Sequence, residues 1–208
     1  MKIEERENLR TIRSITTQFE TRNDSEEPTI EGYFAVFDSD YQIADGMSES
    51  VARTAFDNTL SGDIRALTDH DTTLVLGRTT NNTLELKTDE HGLWGKVKIN
   101  PNDSDAMNLY ERVKRGDVSQ CSFGFEIVRE ESEVQTNGDI HWTIEEVNLF
   151  EVSCVTFPAY QSTSISARSE QAEEIKKRAN EAWKLSMRNK LKGDSKDGIE
   201  SVNAQEEN

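Results

Sequence analysis

The sequence predicts a mainly β protein with helices, an α+β fold whose strands close into a barrel with flanking helices. Runs of alternating apolar and polar residues recur along the first 160 positions, separated by polar or glycine-containing turns. Only two short stretches in that region have helical spacing. A closed antiparallel or mixed barrel removes the edges that about eight or nine strands would otherwise expose.

The first half of the chain contains most of the predicted strands. The first two are joined by the polar turn NDSEEP, and the last two by the turn TDEHG. Apolar alternation places strands at 14–20, 29–37, 64–67, 74–77, 83–87 and 93–99.

Two helices are predicted before the strand SQCSFGFEI. The first lies within 48–62, with apolar residues at helical spacing, Ser48 as the candidate N-cap and Gly62 as its end. The second is better marked, because Asn102, Asp103 or Ser104 can cap it and Gly116 can end it. Its apolar stripe consists of Ala106, Leu109, Tyr110 and Val113.

The second half of the chain contributes the strand SQCSFGFEI and the strands within HWTIEEVNLFEVSCVTFPAY. A turn at 135–139 predicts a hairpin tip, and Pro158 predicts the end of the sheet. The domain organisation that follows is a flexible N-terminus at 1–12, a barrel domain at 13–168, a charged helix at 169–192 and a disordered tail at 193–208.

Charge and hydropathy exclude several classes of function. The net charge is −16, and about −15 of it falls on residues 1–168, so the body of the protein repels nucleic acid. No apolar run approaches the roughly 20 residues that span a bilayer, and MKIEERENLR lacks the apolar region of a secretory signal. We therefore expect an intracellular protein without nucleic acid or membrane partners.

The two cysteines and three histidines offer no metal or cofactor site. Cys121 and Cys154 lie in strand-like apolar surroundings, which favours buried reduced thiols over a disulfide. No second histidine has ligand spacing, and neither a phosphate loop nor a dinucleotide fingerprint occurs. His91 and His141 lie beside turns, where solvated histidines are common.

Ser122 and His70 are the candidate groups for chemistry. In SQCSFGFEI, alternation places Phe123 on one face and Ser122 with Gly124 on the other. This pattern fits an edge strand with a solvated serine and a packing glycine, which the spacing alone favours, or a nucleophile that a substrate backbone can approach. His70 ends an apolar strand in LTDHD, where a general base can lie.

A serine nucleophile needs a base and a third group that orients the base. Asp69 and Asp71 flank His70, and in a continuing strand their side chains leave on the opposite face. Glu151 lies among apolar residues in LFEVSCV, where a buried carboxylate requires a partner. From these residues alone, Glu151 is as well explained by a solvated face.

Four segments in this order resemble the prohead proteases of HK97-type tailed phages, which are related to herpesvirus assemblin. They are GYFAVFDS, LTDHD, SQCSFGFEI and LFEVSCVTFPAY, and the resemblance covers about residues 13–168. It implies a closed barrel of the assemblin type. It also implies that Ser122, His70 and Glu151 are the catalytic residues, with His141 as the alternative third member because herpesvirus relatives use a second histidine.

The resemblance further implies the function and the partners. A serine endopeptidase of this family cuts the scaffold segment from the major capsid protein, often cleaves itself, and acts inside the immature prohead in the cytoplasm of the bacterial host. It needs no cofactor, and the herpesvirus relatives suggest a homodimer. A non-catalytic capsid assembly protein on the same barrel is the main alternative, and an esterase with the same groups is another.

Overall fold

The computed structural model describes residues 11–16, 19–22, 28–157 and 162–203, and the side chains within 11–13, 19–21, 28–157 and 168–190. It is an α+β fold dominated by strands. The strands are β1 (Thr11–Thr16), β2 (Glu20–Arg22), β3 (Thr29–Val36), β4 (Tyr41–Ala44), β5 (Met47–Val51), β6 (Arg65–Thr68), β7 (Asp71–Arg78), β8 (Leu84–Thr88), β9 (Gly92–Lys98), β10 (Gln120–Val134) and β11 (Ile140–Val155). The helices are α1 (Ser104–Arg115) and α2 (Ser162–Asn203), with a short 3₁₀ turn at Thr79–Asn81.

The strands form two sheets. One contains β1, β10, β11, β5 and β4 in that order, with β6 and β7 also attached through β11, and the other has the order β2-β3-β9-β8. The central strand β11 is antiparallel to β10 on one side, and on its other side it is parallel first to β5 and then to β6. Within the described residues the backbone pairings do not join the two sheets into one ring, so the predicted barrel closure is not confirmed.

One large hydrophobic core lies between the sheets. Its centre is aromatic: Phe56 packs edge-on against Phe123, whose ring stacks on Phe125 at a centroid distance of 4.8 Å. Gly95 on β9 faces Phe34, and a Cβ atom at Gly95 would come within 2.6 Å of that ring. The Phe34 ring of the neighbouring strand β3 therefore lies over Gly95 in the space that a side chain at this position would occupy.

Helix α1 confirms the second predicted helix and its ends. The Asp103 carboxylate accepts hydrogen bonds from the backbone N–H groups of Asp105 and Ala106, and Gly116 adopts φ 88° after the last turn. The apolar stripe predicted for this helix is buried. The cap residues in the sequence therefore predict both ends of the helix correctly.

The first predicted helix is wrong. Ser48 belongs to β5, and the residues after it form successive turns with i to i−3 bonds, including Ala55 N–H to Ala52 carbonyl and Gly62 N–H to Thr59 carbonyl. Such turns repeat about every three residues, so they bury the same spacing of apolar residues as a helix does. The side-chain pattern alone could not separate the two.

The chain ends depart from the predicted boundaries. Strand β1 begins at Thr11, inside the segment 1–12 expected to be flexible, because its backbone pairs with β10. The predicted helix 169–192 is part of α2, which begins at Ser162 and continues to Asn203 through most of the expected disordered tail. That tail contains no proline, so nothing in its backbone forces the helix to stop. Residues 1–10 and 204–208 lie outside the described residues.

Helix α2 contacts the sheet through its first turns. Ala172 packs with Ile140 and Trp142 in a second, smaller cluster, and the Arg168 guanidinium lies 4.9 Å from the centre of the Trp142 ring. Farther along, Trp183 is 60% exposed. Among the described helices, none is both long and apolar enough to cross a membrane.

Candidate active site

Two neighbouring strands carry Ser122 and Glu151, and the strand next to them leads to His70. Ser122 on β10 lies directly opposite Ser153 on β11, and Gly124 lies opposite Glu151. On the other side of β11, Ser153 is level with Leu67 of β6, the strand that leads to His70. Directly opposite residues project to the same face of a sheet, so Ser122, Ser153 and Glu151 share one face.

A β-bulge sets the direction of Glu151. Gly124 is paired with Glu151 but Phe125 is paired with Leu149, so Phe150 is the extra residue on β11. Leu149 before the bulge and Val152 after it both contribute to the hydrophobic core. Because the bulge shifts the alternation by one residue, Glu151 points away from the core although Leu149, two positions earlier, points into it.

Glu151 holds His70. The Nδ1–H of His70 donates to Oε1 of Glu151 at 2.6 Å, and the hydroxyl of Ser153 donates to Oε2 of the same carboxylate at 2.6 Å. The Ser153 contact has the length typical of a charge-assisted O–H···O⁻ bond, and the His70 contact is slightly shorter than the usual N–H···O⁻ bond. Glu151 is 2% exposed and Ser153 is fully buried. The interpretation of Glu151 as a solvated surface residue is therefore wrong.

The second ring nitrogen of His70 has a different environment. Nε2 is buried and has no hydrogen-bond partner among the residues that the structure describes. With the proton on Nδ1, Nε2 carries the lone pair that can accept a proton. Buried polar atoms nearly always find a partner, so an unpaired nitrogen beside a held carboxylate suggests a functional role.

The turn between β6 and β7 places His70. Asp69 and His70 have φ values of 48° and 62°, which reverse the chain direction after β6. The Asp69 carboxylate accepts from both the N–H and the hydroxyl of Thr156 at the end of β11, at 2.7 and 3.0 Å. Asp71 binds Thr73 instead. Both aspartates therefore stabilise the turn, and in the described structure it is Glu151 that contacts the ring.

Ser122 is buried and its hydroxyl is bonded to the first strand. Its side chain is fully buried, and its Oγ–H donates to the carbonyl oxygen of Arg13 on β1 at 2.8 Å. Strand β10 is flanked by β1 and β11, so it is not an edge strand. The prediction of a solvated serine on an edge strand is wrong, whereas the predicted face for Phe123, opposite Ser122, is confirmed.

The side chain of Arg13, whose carbonyl oxygen accepts from Ser122, belongs to a cluster of buried charged residues. The Arg13 guanidinium binds the Glu49 carboxylate through two nitrogens, one of them at 2.8 Å. Arg168 of α2 lies 3.6 Å from Glu49 and 2.7 Å from Glu130. Burial, and then the nearby charge of Arg168, lower the pKa of Arg13 to about 10. We call these four residues the arginine–glutamate cluster; it connects β1, β5, β10 and α2.

His141 and His91 lie elsewhere. The two ring nitrogens of His141 are hydrogen-bonded to the hydroxyls of Ser48 and Ser50 on β5, at 2.9 and 2.8 Å. His141 is 8% exposed, so the expectation of a solvated histidine is wrong. His91 is exposed and packs edge-on against Tyr33. Since His141 binds β5 rather than His70, the geometry does not favour it as the third member.

The sequence did not reveal three contributors to this region. Ser153 was not singled out because its contact with Glu151 depends on the bulge. Arg13 and Asp69 act through a backbone carbonyl and a turn, neither of which has a motif. In the described part of the chain, no group of three or more potential metal ligands is found.

A mainly β protein with a buried serine and a buried glutamate on adjacent strands, and a histidine in a turn that contacts the glutamate, has the set of groups that serine hydrolases use. The comparisons with known proteins identify the class more closely. The chain belongs to the caudovirus prohead serine protease family, whose model matches residues 14–178. This confirms the resemblance found in the sequence and makes the chain a capsid-maturation protease in class.

The chain is also similar to individual proteins of known name or structure. The prohead protease of Enterobacteria phage HK97 is 27% identical over 163 residues, which are 76% of this chain and 68% of that protein. The solved structure of the bacteriophage T4 capsid assembly protease, gp21, matches 70% of this chain and 96% of its own, with 9% identity and a TM-score of 0.48.

Proposed function

We propose that this chain is a serine endopeptidase that cleaves the scaffold segment of a phage major capsid protein during prohead maturation, and that it also cleaves itself. Ser122 is the nucleophile, His70 the general base and Glu151 the group that orients His70. The enzyme works without a cofactor, inside the immature prohead in the bacterial cytoplasm. The family match and the HK97 relative support the substrate class.

The difference between two histidines carries this proposal. Both ring nitrogens of His141 are hydrogen-bonded to serine hydroxyls, and the Asp40 carboxylate lies 3.9 Å from its Nδ1, beyond hydrogen-bond distance. The Nδ1 of His70 is held by Glu151, and its Nε2 has no hydrogen-bond partner among the described residues. The arrangement at His70 therefore combines a carboxylate that orients the ring with a nitrogen that is open to the proton of a nucleophile.

The reaction follows from these groups. The Ser122 hydroxyl turns from the Arg13 carbonyl to Nε2 of His70, then attacks the scissile carbonyl carbon while its proton passes to Nε2. Glu151 stabilises the imidazolium that forms. His70 then gives the proton to the leaving amine, which departs and leaves an acyl ester on Ser122. Water hydrolyses this ester by the same proton transfers and restores the serine.

The burial of Ser122 implies that activity is conditional. A fully buried hydroxyl that donates to Arg13 cannot at the same time donate to His70, because it has a single proton. Substrate can reach it only after groups covering this face move. We therefore expect little activity from the isolated chain and full activity after it joins the assembling shell.

A homodimer would be one route to activation. If dimerisation activates the enzyme, its activity per molecule falls on dilution below the dissociation constant. Constant activity per molecule across that range would exclude this route.

Co-expression with the major capsid protein of the same phage tests the proposal. Intact-mass analysis of the capsid protein compares the native chain with Ser122→Ala, and with Ser132→Ala as the control for an exposed serine on the same strand. We expect native and Ser132→Ala chains to trim the capsid protein and Ser122→Ala to leave it full length. If all three chains leave it full length yet join particles, the chain is an assembly protein rather than a protease.

A further inference from the structure

Ser153 is a polar residue that lies directly opposite the proposed nucleophile in the sheet. It lies on β11 directly opposite Ser122, and beside Leu67 of β6, so it occupies the centre of the three-strand site. Its side chain is fully buried. A buried hydroxyl in a strand needs a hydrogen-bond partner, and this one uses the carboxylate that also binds His70.

The geometry of the contact follows from the strand. Residues two apart on a strand project to the same face, and the bulge at Phe150 lies before Glu151, so Glu151 and Ser153 remain in phase. The hydroxyl donates to Oε2 at 2.6 Å while His70 donates to Oε1 at 2.6 Å. His70 and Ser153 thus donate to different oxygens of the Glu151 carboxylate.

Hydrogen bonds to both carboxylate oxygens restrict the rotation of the Glu151 carboxylate. The terminal torsion of glutamate is broad, so a carboxylate held by one donor can rotate about it. A second donor on the other oxygen fixes the plane of the group and favours its ionised form. An oriented, ionised carboxylate keeps the proton of His70 on Nδ1 and leaves Nε2 as the acceptor.

We propose that Ser153 is a positioning residue that acts through Glu151 to hold His70 in the orientation and tautomer that proton transfer requires. The inference rests on the proposed function for its catalytic consequence. Its structural part, the fixation of the His70–Glu151 hydrogen bond, stands independently of whether the chain cleaves a capsid protein.

NMR of the ring N–H protons in ¹⁵N-labelled full-length protein tests the structural part. We expect a slowly exchanging, far-downfield Nδ1–H signal, assigned to His70 by its loss in His70→Gln. In Ser153→Ala the signal should disappear or exchange at least about tenfold faster, because the carboxylate is released. Ser153→Thr keeps the hydroxyl and should keep the signal.

Capsid-protein cleavage in co-expressing cells tests the catalytic part. Groups that orient a functional side chain, as the outer partners of metal-binding histidines do, typically contribute about 10- to 100-fold to activity. Ser153→Ala should therefore slow trimming of the capsid protein by a similar factor, and Ser153→Thr should restore most of the rate. Ser50→Ala is the matched control, because it removes another buried serine hydroxyl from a histidine, that of His141. It should change neither the His70 signal nor the rate.

The outcomes separate the two proposals. An unchanged His70 signal, or unchanged trimming, in folded Ser153→Ala protein overturns the inference, and thermal unfolding confirms the fold. If Ser153→Ala does not fold, loss of the His70 signal in folded Ser153→Thr overturns it, because that variant retains the hydroxyl. If the native chain does not trim the capsid protein, the proposed function fails while the NMR result still decides the role of Ser153.

Discussion

Glu49 is the residue on which we expect the stability of the fold to depend most sharply. It is fully buried and binds Arg13 through both carboxylate oxygens, with Arg168 3.6 Å away. Glu49→Gln keeps the shape of the side chain but removes its charge. The arginine–glutamate cluster then carries one uncompensated positive charge in a buried place.

The magnitude follows from the distances. With an effective dielectric constant of about 20, a unit charge pair attracts by about 6 kcal/mol at the 2.8 Å of the Arg13 contact and by about 5 kcal/mol at the 3.6 Å of the Arg168 contact. A neutral glutamine does not incur the desolvation penalty of a buried carboxylate, and this offsets several kcal/mol of the lost attraction. A net loss of about 3–5 kcal/mol remains, as is typical for breaking a buried pair.

Urea unfolding followed by circular dichroism measures this loss. For a slope of about 2 kcal/mol per molar urea, the midpoint should fall by about 2 M with the slope unchanged. Asp63→Asn is the control, because Asp63 pairs with Arg78 at the surface, where both side chains are more than a third exposed. If Glu49→Gln moves the midpoint no more than Asp63→Asn does, the reasoning about the buried cluster is refuted.

Three further predictions concern single groups. Burial raises the pKa of Cys154 to about 12, and Cys121 is also buried. DTNB should therefore modify neither thiol in the native protein at pH 8 and both thiols in guanidinium. Rapid modification of either thiol in the native protein would contradict this. Burial also raises the pKa of Tyr41 to about 12. Its contribution to the free energy of unfolding is therefore complete below about pH 10 and is lost as the pH rises to about 12. The urea midpoint of the native protein should fall over this range, and that of Tyr41→Phe should lack this part of the fall. His141→Gln should retain capsid trimming, whereas His70→Gln should abolish it; equal losses would show that His141 also takes part in the reaction.

Local sequence rules predicted the parts of the fold that depend on neighbours in the chain. Helix α1 was fixed by a capping aspartate and a terminal glycine, Asp103 and Gly116. The faces of Phe123 and Ser122 followed from strict alternation, because β10 runs without interruption there. The helix predicted at 48–62 failed because consecutive turns bury apolar residues at nearly the same interval.

The candidate site could be predicted only in part. Ser122, His70 and Glu151 were named from short motifs and the family resemblance, and the structure places His70 on Glu151. The contribution of Ser153 required knowledge of the bulge, which resets the faces of β11. Arg13 could not be found, because it contacts Ser122 through its backbone across a sequence separation of 109 residues.

The identity of the reacting serine tests the central claim most directly. We would treat proheads assembled with the native chain with a fluorophosphonate, digest the protein and locate the adduct by peptide mass spectrometry. The account predicts modification of Ser122 in the native chain and none in His70→Gln. Modification of another serine such as Ser153, or labelling of Ser122 that does not depend on His70, would contradict it.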